Sequence, residues 1–163
     1  MKIKPSLLNI KFKHIVFKCR LFTTTDPFKV ADLWRKQGVP IGENTCIYRD
    51  VKISGEGTEE ITIGKNCVLT GCTIIGHDAS TNKQLGIGYG SPSPILPIII
   101  EDNCFIGYQA IVLMGVVVGQ GSIVGAGAVV TSNVPQGCVV AGSPARVICT
   151  VDELVNKRKI LFK

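Results

Sequence analysis

Large aliphatic residues return at every sixth position along the second half of the chain. Ile100, Ile106, Val112, Val118, Val124 and Val130 keep this step without a slip. Cys104, Ala110, Val116, Ser122, Ala128 and Val134 follow them four positions on, all small or β-branched, and Gly107, Gly119 and Gly125 directly follow three of the aliphatics. Two shorter runs share the pattern in other phases. Ile41, Ile47 and Ile53 form one, with Thr45 and Val51 at the small positions; Ile63, Leu69 and Ile75 form the other, with Cys67 and Thr73 there. The phase breaks at 55–60 (GEGTEE), which reads as a turn or small insertion.

An α-helix returns its apolar positions at three and four, so a period of six excludes it. The spacing suits short β segments joined by tight corners. The aliphatic side chain fills the interior, the small one sits where space is tight, and glycine permits unusual backbone near the corner. One coil cannot bury its own apolar face, so coils must stack and supply each other with core and ladder hydrogen bonds. The fold class expected is all-β, a parallel β-helix with an extruded loop and short flanking helices.

The open ends of such a stack need covering. Asp26 followed by Pro27 predicts a helix start, with Phe28, Ala31, Leu33 and Trp34 as its apolar residues and Gly38 as its stop. Thr150 and Glu153 form a capping box that opens a second helix over Leu154, Ile160 and Leu161. Residues 1–22 fit a strand, a helix or a basic arm. The organisation expected is a basic segment with a capping helix over 1–40, a β-helix over 41–148 and a capping helix over 149–163.

Between Ile75 and Ile100 the repeat stops, and the Gly-, Ser- and Pro-rich stretch 76–97 must leave the coil as a loop. Loops of that length inside a compact fold are usually functional. At its base sits His77, the only histidine of the repeat region. A neutral imidazole there suits removal of a hydroxyl proton near neutral pH. Asp78 adjoins it, but neighbours on an extended chain point apart.

Composition changes this picture little. A chain of 163 residues with 45% hydrophobic residues supports one folded domain. Its apolar runs are too short for a membrane span, and the lysines scattered through 2–18 break any secretory signal, so a cytoplasmic location is expected. The net charge of +6 is uneven: residues 1–40 carry nine basic and two acidic side chains. Without aromatic interleaving or a basic helix face, these read as a solvated surface, and no nucleic-acid partner is expected. The seven cysteines form no CxxC pair or zinc spacing, and Cys67 and Cys104 fall at small inward positions, so packing explains them and no metal is expected.

From Pro97 the sequence reads PIIIEDNCFIGYQAIVLMGVVVGQGSIVGAGAVVTSNVPQGCVVAGSPARVI. These coils, the closing AGSPARVI and the Gly76–His77 pair before the loop resemble the hexapeptide-repeat acyltransferases, closest to the galactoside, maltose and polysaccharide O-acetyltransferase branch. The resemblance covers roughly 41–148 and implies a left-handed parallel β-helix, although parallel crossovers are otherwise right-handed. It implies a homotrimer with active sites between subunits, and an acetyl-CoA-dependent O-acetyltransferase acting on a small saccharide. His77 would be the general base, the acceptor hydroxyl would attack the thioester directly, and a backbone N–H would stabilise the oxyanion. Tyr108, Ala126, Thr131, Ser132 and Arg146 match positions that hold CoA, Ala126 through its backbone and Arg146 through charge on the phosphates. Two residues depart from the family: Phe105 replaces a usual tryptophan, and Ser132 a common lysine.

Three alternatives stand beside this reading. One is an N-acetyltransferase on an amino sugar, or a serine acetyltransferase. Another is a non-catalytic β-helix scaffold. A carbonic anhydrase of the same architecture needs several histidine ligands, which two histidines do not supply.

Overall fold

The computed structural model describes residues 7–54, 60–88 and 94–162. The phase break at 55–60 falls almost wholly outside them. Short strands stack into a three-faced parallel β-helix. One face pairs Ile61–Ile63, Ile98–Ile100 and Val117–Val118; a second pairs Cys46–Ile47, Val68–Leu69, Phe105–Ile106, Ile123–Val124 and Cys138–Ala141; a third pairs Lys52–Ser54, Thr73–Ile75, Ile111–Leu113 and Val129–Val130. Among described residues every pairing in the stack is parallel except two. Arg146–Thr150 runs antiparallel to Cys138–Ala141 and closes the second face, and His77 bridges Ile95 antiparallel.

The aliphatic columns form the core as the period predicts. Ile63, Ile100 and Val118 stack on the first face, Ile47, Leu69, Ile106, Val124 and Val140 on the second, all buried. The third face corrects the expected phase. Register aligns Ile53 with Ile74 and Val112, so Ile74 and Cys72 are buried while Ile75 and Thr73 lie half outside. The corner from Leu69 to Ile74 takes five residues instead of six. Gly71 makes the shortening possible with φ +47°, lying against the Tyr108 ring where a Cβ would collide. Val134 is corrected too. It bridges Val118 and so belongs to an aliphatic column, the corner after Val130 being shorter still.

Glycine has two distinct roles at the corners. Gly107 and Gly119 are absent from the positive-φ residues. They are required because a Cβ would meet the backbone N of Ala126 or Gln136 in the next coil at 2.6 Å. One column of left-handed corners is made by Asn44, Asn66 and Asn103, with Gly121 and Gly137 further up. Asparagine tolerates this conformation best among non-glycine residues, and Asn66 Nδ2 donates to Asn103 Oδ1 at 3.2 Å across the coils.

Two residues before each second-face aliphatic stands a small side chain able to donate: Thr45, Cys67, Cys104, Ser122 and Cys138. Thr45 Oγ1 donates to Gly64 O at 2.6 Å, Cys67 Sγ to Glu101 O at 3.1 Å, Cys104 Sγ to Gly119 O at 3.2 Å, and Ser122 Oγ to Pro135 O at 2.7 Å. Buried polar groups are thereby satisfied coil to coil. This agrees with the structural reading of Cys67 and Cys104.

The first end is covered by two helices. Helix α1 (Leu7–Thr23) resolves the ambiguity over 1–22 from residue 7 on, residues 1–6 lying outside the described residues; at 17 residues it is not short. Helix α2 (Pro27–Arg35) starts as predicted: Asp26 Oδ1 accepts from Phe28 N at 2.9 Å and Lys29 N at 3.3 Å, with Pro27 in the first turn. It buries Val30, Ala31 and Trp34, whereas Phe28 is exposed, contrary to expectation. Phe17 of α1 meets Trp34 edge-on with centroids 4.9 Å apart. Arg35 ties α2 to the first coil by donating to Ile41 O at 3.0 Å and Gly42 O at 2.6 Å.

At the other end, Thr150 and Glu153 form the predicted capping box of α3 (Val151–Arg158). A 3-10 turn over Lys159–Phe162 follows. The helix was expected to extend over Ile160 and Leu161; both fall instead in this turn and are exposed, and α3 buries no residue. Among the described residues no helix is long and apolar enough to cross a membrane.

Candidate active site

The extruded loop leaves the third face after Ile75 and returns through a narrow neck. His77 and Ile95 bridge across it, and Asp78 N donates to Pro94 O at 3.2 Å. His77 therefore sits in the neck itself, half-buried. Its Nδ1 is buried and has no hydrogen-bond partner among the described residues. Such an orphan in a folded protein calls for an explanation.

Asp78 does not partner His77. Its Oδ1 accepts from Ser80 N at 2.8 Å in a local turn, and that bond holds its carboxyl below the ordinary carboxylate range. Within the loop, Leu85 N donates to Thr81 O and Ile87 N to Asn82 O. This compact turn buries Asn82 with its Oδ1 unpartnered among the described residues, a feature that sequence reasoning missed. The loop has no periodicity to reveal burial.

The other candidate residues divide between the two edges of the third face. Tyr108 and Ala126 stack on the leading edge in successive coils, joined by Gly127 N donating to Tyr108 O at 2.8 Å. Arg146 continues this edge one coil further: it pairs with Ala141, whose Cβ lies 3.2 Å from where a Cβ on Gly125 would stand. Its guanidinium Nη1 donates to Ala145 O at 2.8 Å and the side chain is exposed. Thr131 and Ser132 are exposed on the trailing edge, directly after Val130. His77 shares that edge, two coils away, with Leu113–Gly115 between. Adjacent strands are about 5 Å apart and each residue advances about 3.3 Å, so the face is about 10 Å across. The chain thus brings Tyr108 together with Ala126 and Arg146. No hydrogen bond among described residues joins His77 to any of the five.

Phe105 lies partly exposed on the second face, away from both edges. A cavity of about 340 Å³ lies elsewhere, on the first face, beside Thr62, Ile99 and Glu101. Its carboxylates already accept backbone N–H bonds, Glu101 from Gln120 and Asp102 from Lys65. His77 is not among its lining residues. The described residues contain no cluster of histidine, cysteine and carboxylate groups able to hold a metal.

Among the cysteines, the neighbouring Cys104 thiol holds the Cys67 pKa below the ordinary thiol value, and Cys67 holds that of Cys104 above it. Burial pushes Cys72 up to about 12.

The repeat carries a family match. Residues 97–132 fit the model described as the hexapeptide repeat of succinyl-transferase. A 2,3,4,5-tetrahydropyridine-2,6-dicarboxylate N-acetyltransferase of Staphylococcus aureus (strain MRSA252) is 45% identical over 87 residues, covering 49% of this chain and 36% of that protein. The chain spans little more than a third of the length of such curated relatives. A hexapeptide-repeat-containing acetyltransferase of Vibrio cholerae, complexed with acetyl coenzyme A, superposes with TM-score 0.61 at 20% identity, over 91% of this chain and 92% of that one. A galactoside acetyltransferase in complex with coenzyme A gives TM-score 0.61 at 22% identity, over 96% and 88%.

Residues 97–132 therefore carry a hexapeptide repeat, and the fold is the left-handed parallel β-helix. The likeness to hexapeptide-repeat acyltransferases, galactoside acetyltransferase among them, is borne out.

Proposed function

We propose that the chain is an acetyl-CoA-dependent O-acetyltransferase acting on a saccharide hydroxyl, with His77 as general base, in a homotrimer whose active sites lie between neighbouring copies. The observation that carries this is His77 itself: a half-buried imidazole in the neck of the extruded loop, with a buried Nδ1 that the described chain leaves unpartnered. A neutral imidazole so placed takes the proton of an acceptor hydroxyl as that oxygen bonds to the acyl carbon; the thioester C–S bond then breaks, and the imidazolium returns the proton to the departing CoA sulfur.

Acetyl-CoA supplies the activated thioester. The leading edge fits it chemically. Tyr108 and the backbone around Ala126 form an exposed track for an extended arm, and Arg146 sets a cation at its end with N–H groups left for phosphate. Thr131 and Ser132 add hydroxyls on the trailing edge, where the serine supports a phosphate less strongly than a lysine would.

The division of these residues between two edges supports the assembly. His77 and Arg146 lie on opposite edges of one face, so a partner copy is needed to set a base against a CoA track. Thr73, Ile75, Ile111, Leu113 and Val129, pointing out from that face, are half-buried and largely apolar in the single chain. A closed threefold arrangement would cover such a surface.

A second reading, N-acetylation, is favoured by the named activity of the Staphylococcus aureus relatives. CoA release from acetyl-CoA with panels of sugars, amino sugars and amino acids separates the two. We expect turnover with a sugar that His77→Ala lowers by about a hundredfold or more, with CoA binding retained. Turnover with amines alone moves the assignment to the second reading. No binding of CoA would leave a scaffold and overturn both.

A further inference from the structure

Helix α1 presents its outer face to solvent in an unusual composition. Phe17 and Leu21, four apart, turn inward to the capping helix and the core. Ile15, Cys19 and Phe22 fall at i, i+4 and i+7, so they form one stripe on another side of the helix. All three are exposed, Phe22 by 79% and Ile15 by 58%. Just past the helix, Phe28 at the start of α2 is exposed by 54%. An isolated exposed leucine or isoleucine needs no explanation, but two phenylalanines and an isoleucine at one end of a small domain do.

Charge decides what covers them. Lys18, three after Ile15 and four before Phe22, borders the stripe, and Arg20 lies further round. Both are exposed, and neither makes an ion pair among the described residues, where the pairs are Lys29–Asp26 and Arg35–Asp32. The first 40 residues carry nine basic groups against two acidic ones. Apolar residues on both the inward and the outward side of α1 blur its period, so a basic border is not legible from the spacing alone.

We propose that α1 docks the protein on an anionic phospholipid bilayer. The helix lies in the plane of the interface, with Ile15, Phe22 and Phe28 entering the headgroup–acyl boundary and Lys18 and Arg20 meeting lipid phosphates. A nucleic acid would neutralise the cations but leave the phenylalanines in water. A second copy on this face would set like charges against each other. The proposal is independent of the catalytic reading.

The test is co-sedimentation of the full chain with vesicles of phosphatidylglycerol mixed into phosphatidylcholine, beside vesicles of phosphatidylcholine alone. The protein should sediment with the mixed vesicles and much less with the neutral ones, and added salt should release it. Phe22→Ser should weaken partitioning about tenfold, and Lys18→Gln about fivefold. Both side chains are exposed, so the thermal midpoint should not move. No sedimentation, equal sedimentation with neutral vesicles, or binding unchanged by both variants would each overturn the proposal. So would a change in lipid-free sedimentation coefficient caused by Phe22→Ser, since the face would then join copies of the chain.

Discussion

The coils on either side of the extruded loop are built from the same parts to different tolerances. After the loop, the run from Ile100 to Val130 holds its step of six and every aliphatic in it is buried. Before the loop, Ile41 and Ile53 are only partly buried, and the corner between Leu69 and Ile74 is one residue short. The ladder nevertheless continues across both halves: Ile53, Ile74, Val112 and Val130 stay in one column. Strand register is what the stack enforces, because a slip would send each aliphatic to the outer face. Corner length is free to vary, since corner residues lie outside the ladder.

The glycines test the limit of that contrast, since Gly42 and Gly64 before the loop are as confined as Gly107 after it. Gly107 lies under the backbone of the next coil, so Gly107→Val must separate two coils and should cost upwards of about 3 kcal/mol. At Gly76, before the loop, a Cβ would find its nearest neighbour, Ile61 Cδ1, at 3.4 Å. Gly76→Ala should therefore cost less than about 1 kcal/mol. Urea denaturation of the pair measures both.

The short corner is tested next. Ile74→Ala should cost about 2–5 kcal/mol as a core truncation, and Ile75→Ala less than about 1.5 kcal/mol. Equal costs would restore the unbroken step of six.

Cys72 gives an independent check on the same corner through pH. Burial raises its folded pKa above the ordinary thiol value of 9.0 to about 12. Its contribution is therefore complete below about pH 9 and is lost as pH rises toward 12, by at most about 1.4 kcal/mol per pH unit. Alkaline unfolding curves of the wild type should fall more steeply than those of Cys72→Ala across that window. In the folded protein near neutral pH, a thiol-alkylating reagent should label exposed Cys19 and spare Cys72 by mass spectrometry.

The smallest effect falls at the left-handed corners. Asn66 has φ +55° and reaches Asn103, so Asn66→Ala should cost about 1 kcal/mol and Asn66→Gly only a few tenths. Thermal melts resolve the two.

Much of this architecture was legible because a solenoid writes its fold as a period. The two capping starts, Asp26–Pro27 and Thr150–Glu153, were legible because they are local chemistry. The shortened corner was not. Cys72–Thr73–Ile74–Ile75 offers a small residue and an aliphatic in either of two phases, and only pairing with Ile53 and Val112 chooses between them. Phe28 misled because a propensity for helix does not say which side of it meets the core. At the candidate site, His77 stood out as the one histidine beside a broken repeat. The separation of the other five residues between two edges depends on the corner geometry, which a linear spacing does not carry.

The column of Thr45, Cys67, Cys104 and Ser122 has a direction. Each side chain gives its proton to a carbonyl that belongs to the following turn, at Gly64, Glu101, Gly119 and Pro135. A chain emerging from the ribosome amino end first would therefore present each turn with an unmet donor until its successor arrives. Cropping the molecule from its carboxyl end strands a buried hydroxyl or thiol, whereas cropping Thr45 from the amino end strands the Gly64 carbonyl and the Cys67 N–H, which donates to Thr45 Oγ1 at 3.0 Å. The stack is polarised like a growing filament, and its two ends are not interchangeable as places to lengthen or shorten it.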